Sequence, residues 1–154
     1  MNYKFMRLLL FFDLPTETSK NRLDYTRFHK KKIKNGKLTV EISSHGAELQ
    51  SIRNNAEGRE YLWQGDEKYW PRRSPILFPI VCGLWKGQYR IDGKTFELPR
   101  HGFARDMDFD VVDKTDTSVT YELTSDEETL KVYPYEFGLN VTYVLSDDTI
   151  NVIW

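Results

Sequence analysis

The hydrophobic pattern of this chain changes near Asn35-Gly36-Lys37, and the pattern beyond that point restricts the folds available to it. After residue 37, short segments alternate apolar and polar residues, as in Leu38-Thr39-Val40-Glu41-Ile42. Alternation with a period of two is typical of antiparallel strands that bury one face. An Asp92-Gly93 pair between two such segments is the signature of a two-residue hairpin, because both turn positions require positive φ. Residues 37–154 are therefore predicted to be an all-β domain, an antiparallel β-sandwich.

The alternation continues along the rest of this region. Val119, Tyr121 and Leu123 are expected on one face of a strand, and the residues from Phe137 to Leu145 repeat the pattern over a longer run. Tyr61-Leu62-Trp63 is predicted to be a further short strand. No segment after residue 37 has a convincing helical periodicity, so no helix is predicted there.

The first 36 residues differ in both charge and pattern. They contain 9 Lys and Arg against 3 Asp and Glu, a formal charge of +6, whereas the remaining residues contain 13 and 20, a formal charge of −7. Residues 8–12 predict a buried strand, and a basic helix that begins after Thr18 or Ser19 is expected to end at Asn35-Gly36. We therefore predict two parts, a strand-helix segment at 1–36 and a β-domain at 37–154.

The first part resembles the start of a known family. Its matching residues are Met6-Arg7-Leu8, Phe11-Phe12-Asp13-Leu14-Pro15-Thr16, Arg22, Tyr25, Arg27, Phe28 and Asn35-Gly36. They are similar to the small CRISPR spacer-acquisition subunit, the second Cas protein, which implies a ferredoxin-like dimer with an acid at the Asp13 position near a metal site. Everything past that family's first helix is missing here, and one carboxylate cannot hold a magnesium ion alone. We expect no metal site, and nucleic-acid binding is the less favoured alternative, resting on a basic face that could touch phosphate.

The β-domain has one dense group of polar residues that could carry chemistry. It is the segment Leu98-Pro99-Arg100-His101-Gly102-Phe103-Ala104-Arg105-Asp106, which comes after the hairpin. An imidazole flanked by two guanidiniums can hold a polyhydroxylated or phosphorylated ligand, although a structural histidine is the alternative. A second basic pair, Arg72-Arg73, precedes the run that ends in Phe78-Pro79.

Residues 37–154 resemble the N-terminal part of the aldose 1-epimerases, the galactose-mutarotase-like family, and are most similar to its lactose-operon branch. The motifs that carry this are Gly46-Ala47-Glu48-Leu49-Gln50-Ser51, Glu60-Tyr61-Leu62-Trp63-Gln64-Gly65-Asp66, Arg72-Arg73-Ser74-Pro75-Ile76-Leu77-Phe78-Pro79 and His101-Gly102-Phe103-Ala104-Arg105-Asp106. The resemblance implies a large β-sandwich that interconverts sugar anomers with a carboxylate base and a histidine acid. It also implies that Arg73, His101 and Arg105 contact an aldose or sugar phosphate.

Two departures from the family bear on activity. The family's general-acid histidine and catalytic glutamate lie beyond the last residue of this chain, so no catalytic residue is assigned and no cofactor is expected. The family commonly has Gly-Arg after the Phe-Pro segment, and here the arginine position is Gly83. We therefore expect a truncated, inactive family member; a non-functional fusion product is the remaining alternative.

Three further features concern the cellular setting and the state of the chain. The single cysteine, Cys82, allows no internal disulfide and favours a reducing cytoplasm. The apolar run before Asp13 is too short to span a bilayer, so no membrane association is expected. Trp154 lies within an alternating segment, which predicts a strand that is cut short. Unpaired strand edges would then promote self-association.

Overall fold

A computed structural model describes residues 30–154, which form nine strands in three sheets and one short helix. Every strand pair from β2 onward is antiparallel, so the predicted all-β architecture is confirmed. The elements are β1 (Lys30–Lys34), β2 (Leu38–Ser43), β3 (Leu49–Asn54), β4 (Gln88–Ile91), β5 (Lys94–Glu97), β6 (Asp110–Lys114), β7 (Ser118–Thr124), α1 (Glu127–Val132), β8 (Gly138–Ser146) and β9 (Thr149–Ile153).

Two of the sheets pack face to face around a single apolar core. One has the order β1-β2-β3 and the other has the order β6-β7-β8-β9, while β4 and β5 form a separate hairpin. In each large sheet the alternate residues of the central strands are buried, as the sequence pattern predicted. The side chains that meet in the core include Val40 and Ile42 from one sheet and Val119, Tyr121, Val141 and Tyr143 from the other.

Two buried tyrosines link the sheets by hydrogen bonds as well as by packing. Tyr121 donates its hydroxyl to the carbonyl of Ile42 at 3.1 Å, and Tyr143 donates to the carbonyl of Ala47 at 2.7 Å. Burial raises the pKa of both tyrosines above the ordinary value, so both hydroxyls remain protonated donors. The first bond reaches β2 and the second reaches the connection between β2 and β3, and each gives a buried hydroxyl an acceptor.

The hairpin predicted at Asp92-Gly93 is confirmed. Gln88 pairs with Glu97 and Ile91 with Lys94, and Asp92 and Gly93 occupy the left-handed region at φ 48° and 78°. Both central residues therefore adopt the conformation that a two-residue turn of this kind requires.

The prediction of a helix running to Asn35 is wrong for residues 30–34, which form strand β1 beside β2. Ile33 is fully buried in the core, and the Lys34 amide donates to the Asp116 carbonyl at 2.7 Å. Lys32 forms a 3.0 Å ion pair with Glu41 of β2. Lysine is less frequent in strands than the average residue, but it is common on edge strands such as β1, where its charge opposes pairing between molecules.

The Asn35-Gly36 pair is a turn between strands rather than the end of a helix. The Asn35 side-chain oxygen accepts from the amides of Lys37 and Leu38 at 2.9 and 2.8 Å, and its nitrogen donates to the Asp147 carbonyl at 2.7 Å. We therefore propose that the β-domain begins near Lys30 instead of at residue 37. The predicted strand at residues 8–12 and the rest of the predicted helix lie outside the described residues.

Two smaller predictions also fail. Tyr61-Leu62-Trp63 is not a strand: only a single bridge joins Arg53 to Glu60, and the Glu60 carboxylate accepts from the Ile52 and Leu62 amides at 2.8 and 3.0 Å.

The helix α1 was not predicted, because six residues are too few to show a helical period. Its start is fixed by a capping box between Asp126 and Thr129.

Strand β9 lies at the edge of the four-stranded sheet. Val152, Ile153 and Trp154 expose 41%, 55% and 63% of their surface, so the edge carries an apolar strip. Self-association through such an edge stays a prediction.

The tyrosine link between the sheets can be tested with Tyr143→Phe. Removing the hydroxyl leaves the Ala47 carbonyl buried without its donor, so we expect the free energy of unfolding to fall by about 1–2 kcal/mol. The measurement is chemical denaturation, read as a lower midpoint with an unchanged slope. Tyr135→Phe is the control, because Tyr135 is 48% exposed and should change stability little. Equal losses in the two variants would contradict the link.

Candidate functional site

The loop predicted to carry chemistry is anchored by an unusually close backbone contact. Gly102 forms a bridge with Phe78 and has a φ of 72°, and a Cβ added to it would lie 2.0 Å from the Phe78 carbonyl oxygen. That oxygen accepts from the Phe103 amide at 2.9 Å and the Ala104 amide at 3.2 Å. Only glycine permits this approach, which explains why glycine comes directly after His101.

His101 is held in one orientation by Cys82. The His101 amide donates to the Cys82 carbonyl at 2.8 Å, and the Cys82 amide donates back to Nδ1 of the imidazole at 2.9 Å. Because Nδ1 accepts a hydrogen bond, the hydrogen of the neutral ring lies on Nε2. Both residues have left-handed backbones, with φ of 71° for His101 and 68° for Cys82. The Nε2–H group is thus the donor of the ring that remains for a ligand.

Arg105 lies on the next turn of the same loop, in the 3₁₀ helix Ala104–Asp106. Its Nη2 donates to the Arg100 carbonyl at 3.0 Å, which joins the guanidinium to the residue preceding His101. Its buried Nε forms an ion pair with the Asp106 carboxylate at 3.4 Å but has no hydrogen-bond partner among the described residues. The guanidinium is thus tied to the backbone of the residue that precedes His101.

Arg72, which was not singled out as a ligand contact, is the residue that ties the arginine pair to this loop. Its Nη1 donates to the Arg105 carbonyl at 3.2 Å, and its Nη2 forms an ion pair with Asp106. These contacts fix the turn that presents Arg105. Arg72 therefore has a positioning role that adjacency to Arg73 in the sequence did not distinguish.

Arg73 is directed toward a different set of partners. Its Nη1 donates to the Gln50 side chain at 2.9 Å and its Nη2 donates to the Gln64 carbonyl, while its buried Nε has no partner within residues 30–154. No hydrogen bond or ion pair in this part of the chain joins Arg73 to His101 or Arg105. The structure thus links Arg105 to the His101 loop directly and Arg73 only through its neighbour Arg72.

A buried carboxylate that the sequence analysis missed organises the Arg73 segment. Glu48 exposes 8% of its surface, and its Oε1 accepts from the amides of Arg73 and Ser74 at 2.6 and 2.9 Å. Its Oε2 accepts from the Gln50 side chain at 3.0 Å. An acid inside the otherwise apolar residues 47–49 was the available clue, because a buried charge needs partners.

Other titratable groups of the described chain are engaged elsewhere. His45 Nδ1 lies 2.9 Å from Asp108 Oδ1, and both side chains are about half exposed. Across residues 30–154 no group of three His, Cys, Asp or Glu side chains is arranged to hold a metal ion. No helix in that range is long and apolar enough to cross a membrane.

Comparison with known proteins gives the family of the chain. The family model for aldose 1-epimerase matches residues 29–153. The chain belongs to the aldose 1-epimerase family. The match starts one residue before the first strand, which agrees with β1 as part of the domain. The resemblance of residues 1–36 to a CRISPR subunit is not addressed by it.

Individual relatives support the assignment. The LacX protein of Lactococcus lactis is 39% identical over 124 residues, which cover 77% of this chain and 41% of LacX. A galactose mutarotase-like protein from Lactobacillus casei superimposes with a TM-score of 0.78 at 46% identity, over 80% of this chain and 42% of that one. A galactose mutarotase related enzyme from Lactobacillus acidophilus gives 0.75 at 43% identity, over 77% and 39%. The chain therefore spans about two fifths of the length of these relatives.

The backbone at Cys82-Gly83, where the sequence resemblance implies a Gly-Arg pair, is left-handed at the first residue only. Cys82 has a left-handed backbone, a conformation that glycine adopts without strain. Gly83 does not have a positive φ. A Cβ added at Gly83 would meet its nearest neighbour, Arg100 Cγ, at 3.9 Å. The site therefore has room for a side chain at residue 83 but lacks one.

The contact between Gly102 and Phe78 is tested by Gly102→Ala. The added methyl would overlap the Phe78 carbonyl, so we expect a loss of about 3 kcal/mol or more in unfolding free energy. Gly93→Ala is the matched control, because Gly93 has a φ of 78° but nothing within 4 Å of an added Cβ. It should cost only the left-handed strain of about 1–2 kcal/mol.

Denaturant titration of both variants gives the comparison. We expect Gly93→Ala to remain folded and Gly102→Ala to be unfolded or much less stable. Equal losses would mean that the backbone conformation alone, and not the close approach, explains the glycine.

Proposed function

We propose that the chain binds an aldose, or a phosphorylated aldose, at the loop carrying His101 and Arg105, and that it does not interconvert anomers by itself. The observation that carries the proposal is the fixed imidazole of His101, whose Nε2–H is left for a ligand while Nδ1 accepts from Cys82. A donor held in one direction suits a sugar hydroxyl or ring oxygen, because little rotational freedom is lost on binding.

Arg105 supplies the second contact of the proposed site. Only one of its two terminal nitrogens is used, by the Arg100 carbonyl, so the guanidinium keeps donors for a hydroxyl or a phosphate oxygen. Arg73 has both terminal nitrogens engaged by Gln50 and Gln64. We therefore assign Arg105 the direct ligand contact. Arg73 is given a weaker one through the second hydrogens of its terminal nitrogens, because its Nε is buried.

The absence of catalysis is proposed from the state of the carboxylates. Mutarotation needs a base and an acid on the same sugar, and losing one general acid or base typically costs about 10²–10⁴ in rate. Within residues 30–154, the acids closest to the arginines are already occupied: Glu48 accepts three hydrogen bonds, and Asp106 pairs with Arg72. The engagement of both carboxylates in holding the fold supports the proposal that neither acts as the base.

Nucleic-acid binding has less support than sugar binding. It rested on a basic helix, whereas Lys30, Lys31 and Lys32 lie in β1 and Lys32 is paired with Glu41. Truncation, a fusion origin and a cytoplasmic location stay predictions.

The proposal is tested by measuring binding and turnover separately. Saturation-transfer NMR with galactose and glucose should detect binding that His101→Ala weakens by about fivefold to tenfold, the effect of one lost hydrogen bond. His45→Ala is the control, since His45 is the other described histidine and lies outside the loop. Polarimetry on freshly dissolved sugar should show no mutarotation above that of buffer.

Each outcome decides one part of the proposal. Equal binding by wild type and His101→Ala would remove the ligand role of His101, and turnover above buffer would refute the lack of catalysis. Gly83→Arg should strengthen sugar binding, because it places a guanidinium where the resemblance to the family implies one.

A further inference from the structure

A second concave surface lies on the β4–β5 hairpin, apart from the loop that carries His101. Its volume is about 430 Å³, large enough for a monosaccharide. The residues that line it are Trp85, Lys86, Gln88, Tyr89, Arg90 and Thr95. None of them belongs to the proposed aldose site.

Two cations of this cavity have no partner in the described chain. Neither Lys86 nor Arg90 forms a hydrogen bond or an ion pair through its side chain with any residue of 30–154, and both are exposed. The hairpin carries two acids: Glu97 accepts from the Gln88 side chain at 2.8 Å, and Asp92 lies in the turn. Neither forms an ion pair with Lys86 or Arg90. The two cations that line the cavity are therefore not in ion pairs with any described residue, and they can each bind an anionic ligand.

Trp85 adds a flat apolar surface to the same cavity. It is 86% exposed, the highest value among the large apolar side chains of the described residues. An indole ring left in water to this extent contributes nothing to the core, and its face is suited to the C–H face of a pyranose ring. Charge and apolar surface together indicate a ligand that is both anionic and cyclic.

Hydrogen bonds fix the backbone from which these side chains project. Lys86 has a left-handed φ of 56° in a 3₁₀ turn whose Gly87 amide donates to the Leu84 carbonyl at 3.0 Å. The buried Leu98 donates its amide to the Gly87 carbonyl at 3.0 Å, which fixes the turn to the end of β5. Tyr89 holds the hairpin to α1 by donating its hydroxyl to the Val132 carbonyl at 2.6 Å.

We propose that this cavity binds a phosphorylated monosaccharide, with Lys86 and Arg90 holding the phosphate and Trp85 stacking on the sugar ring. Arginine offers a planar fork of donors to phosphate oxygens and lysine a mobile ammonium, so the pair can engage one dianion. Because both cations are solvated, binding should weaken as ionic strength rises. This proposal does not depend on sugar binding at the loop that carries His101, because the two sites share no residue.

The test records the indole N–H resonance of Trp85, assigned by comparison with Trp85→Phe, while the full chain is titrated with glucose 6-phosphate. We expect a saturable shift with this ligand, weaker binding of inorganic phosphate, and none of glucose at the same concentrations. Lys86→Gln combined with Arg90→Gln should weaken glucose 6-phosphate binding by about tenfold or more. Lys94→Gln, on the same hairpin but outside the cavity, should leave it unchanged.

The contrary outcomes are distinct. Binding that survives the Lys86 and Arg90 double substitution would overturn the phosphate contact. Equal affinity for phosphate and glucose 6-phosphate would overturn the stacking on Trp85. Loss of the Trp85 shift in His101→Ala, with both cations intact, would show that the ligand occupies the aldose site and would also overturn the proposal.

Discussion

The carbonyl oxygen of Phe78 is the point on which the candidate site depends. It accepts from the amides of Phe103 and Ala104, and the backbone of Gly102 passes so close that no side chain could be added there. This contact brings the end of the hairpin against the segment that carries the arginine pair. The positions of His101 on one side and Arg105 on the other result from it.

The β-sandwich makes that contact possible by fixing the two segments independently. Tyr121 and Tyr143 join the sheets at the end of β2, and the buried Glu48 then orders the backbone at Arg73 and Ser74. The described carboxylates nearest the arginines are thus used to build the structure. This use of the carboxylates is the physical basis for proposing a chain that binds sugar without shuttling protons.

The parts of this fold that could be predicted are those that result from a period of two. The alternation in β7 and β8 indicated their buried faces, and Asp92-Gly93 indicated the hairpin, because each pattern has one structural solution. The interpretation of β1 as the end of a helix is wrong, because four of its five residues are lysines and only Ile33 is buried. What marks it as a strand is its pairing with β2 and the insertion of Ile33 between the sheets, and neither is local in sequence.

The site was predictable to a similar degree. The segment from His101 to Arg105 was recognisable from its residue types and its resemblance to a family. The roles of Cys82, Glu48 and Arg72 were not, because each acts on a residue at least 19 positions away, through hydrogen bonds that only the folded chain creates. Hydrogen bonds between residues so far apart produce no periodic pattern in the sequence.

The tautomer of His101 tests the role of the Phe78 contact most directly, measured by long-range ¹H–¹⁵N NMR with the imidazole neutral and the resonance assigned by His101→Gln. If the loop anchored on Phe78 holds the ring against the Cys82 amide, the hydrogen will be found on Nε2 and Nδ1 will show the shift of an acceptor. A hydrogen on Nδ1, or an even mixture of the two tautomers, would contradict this arrangement of the site.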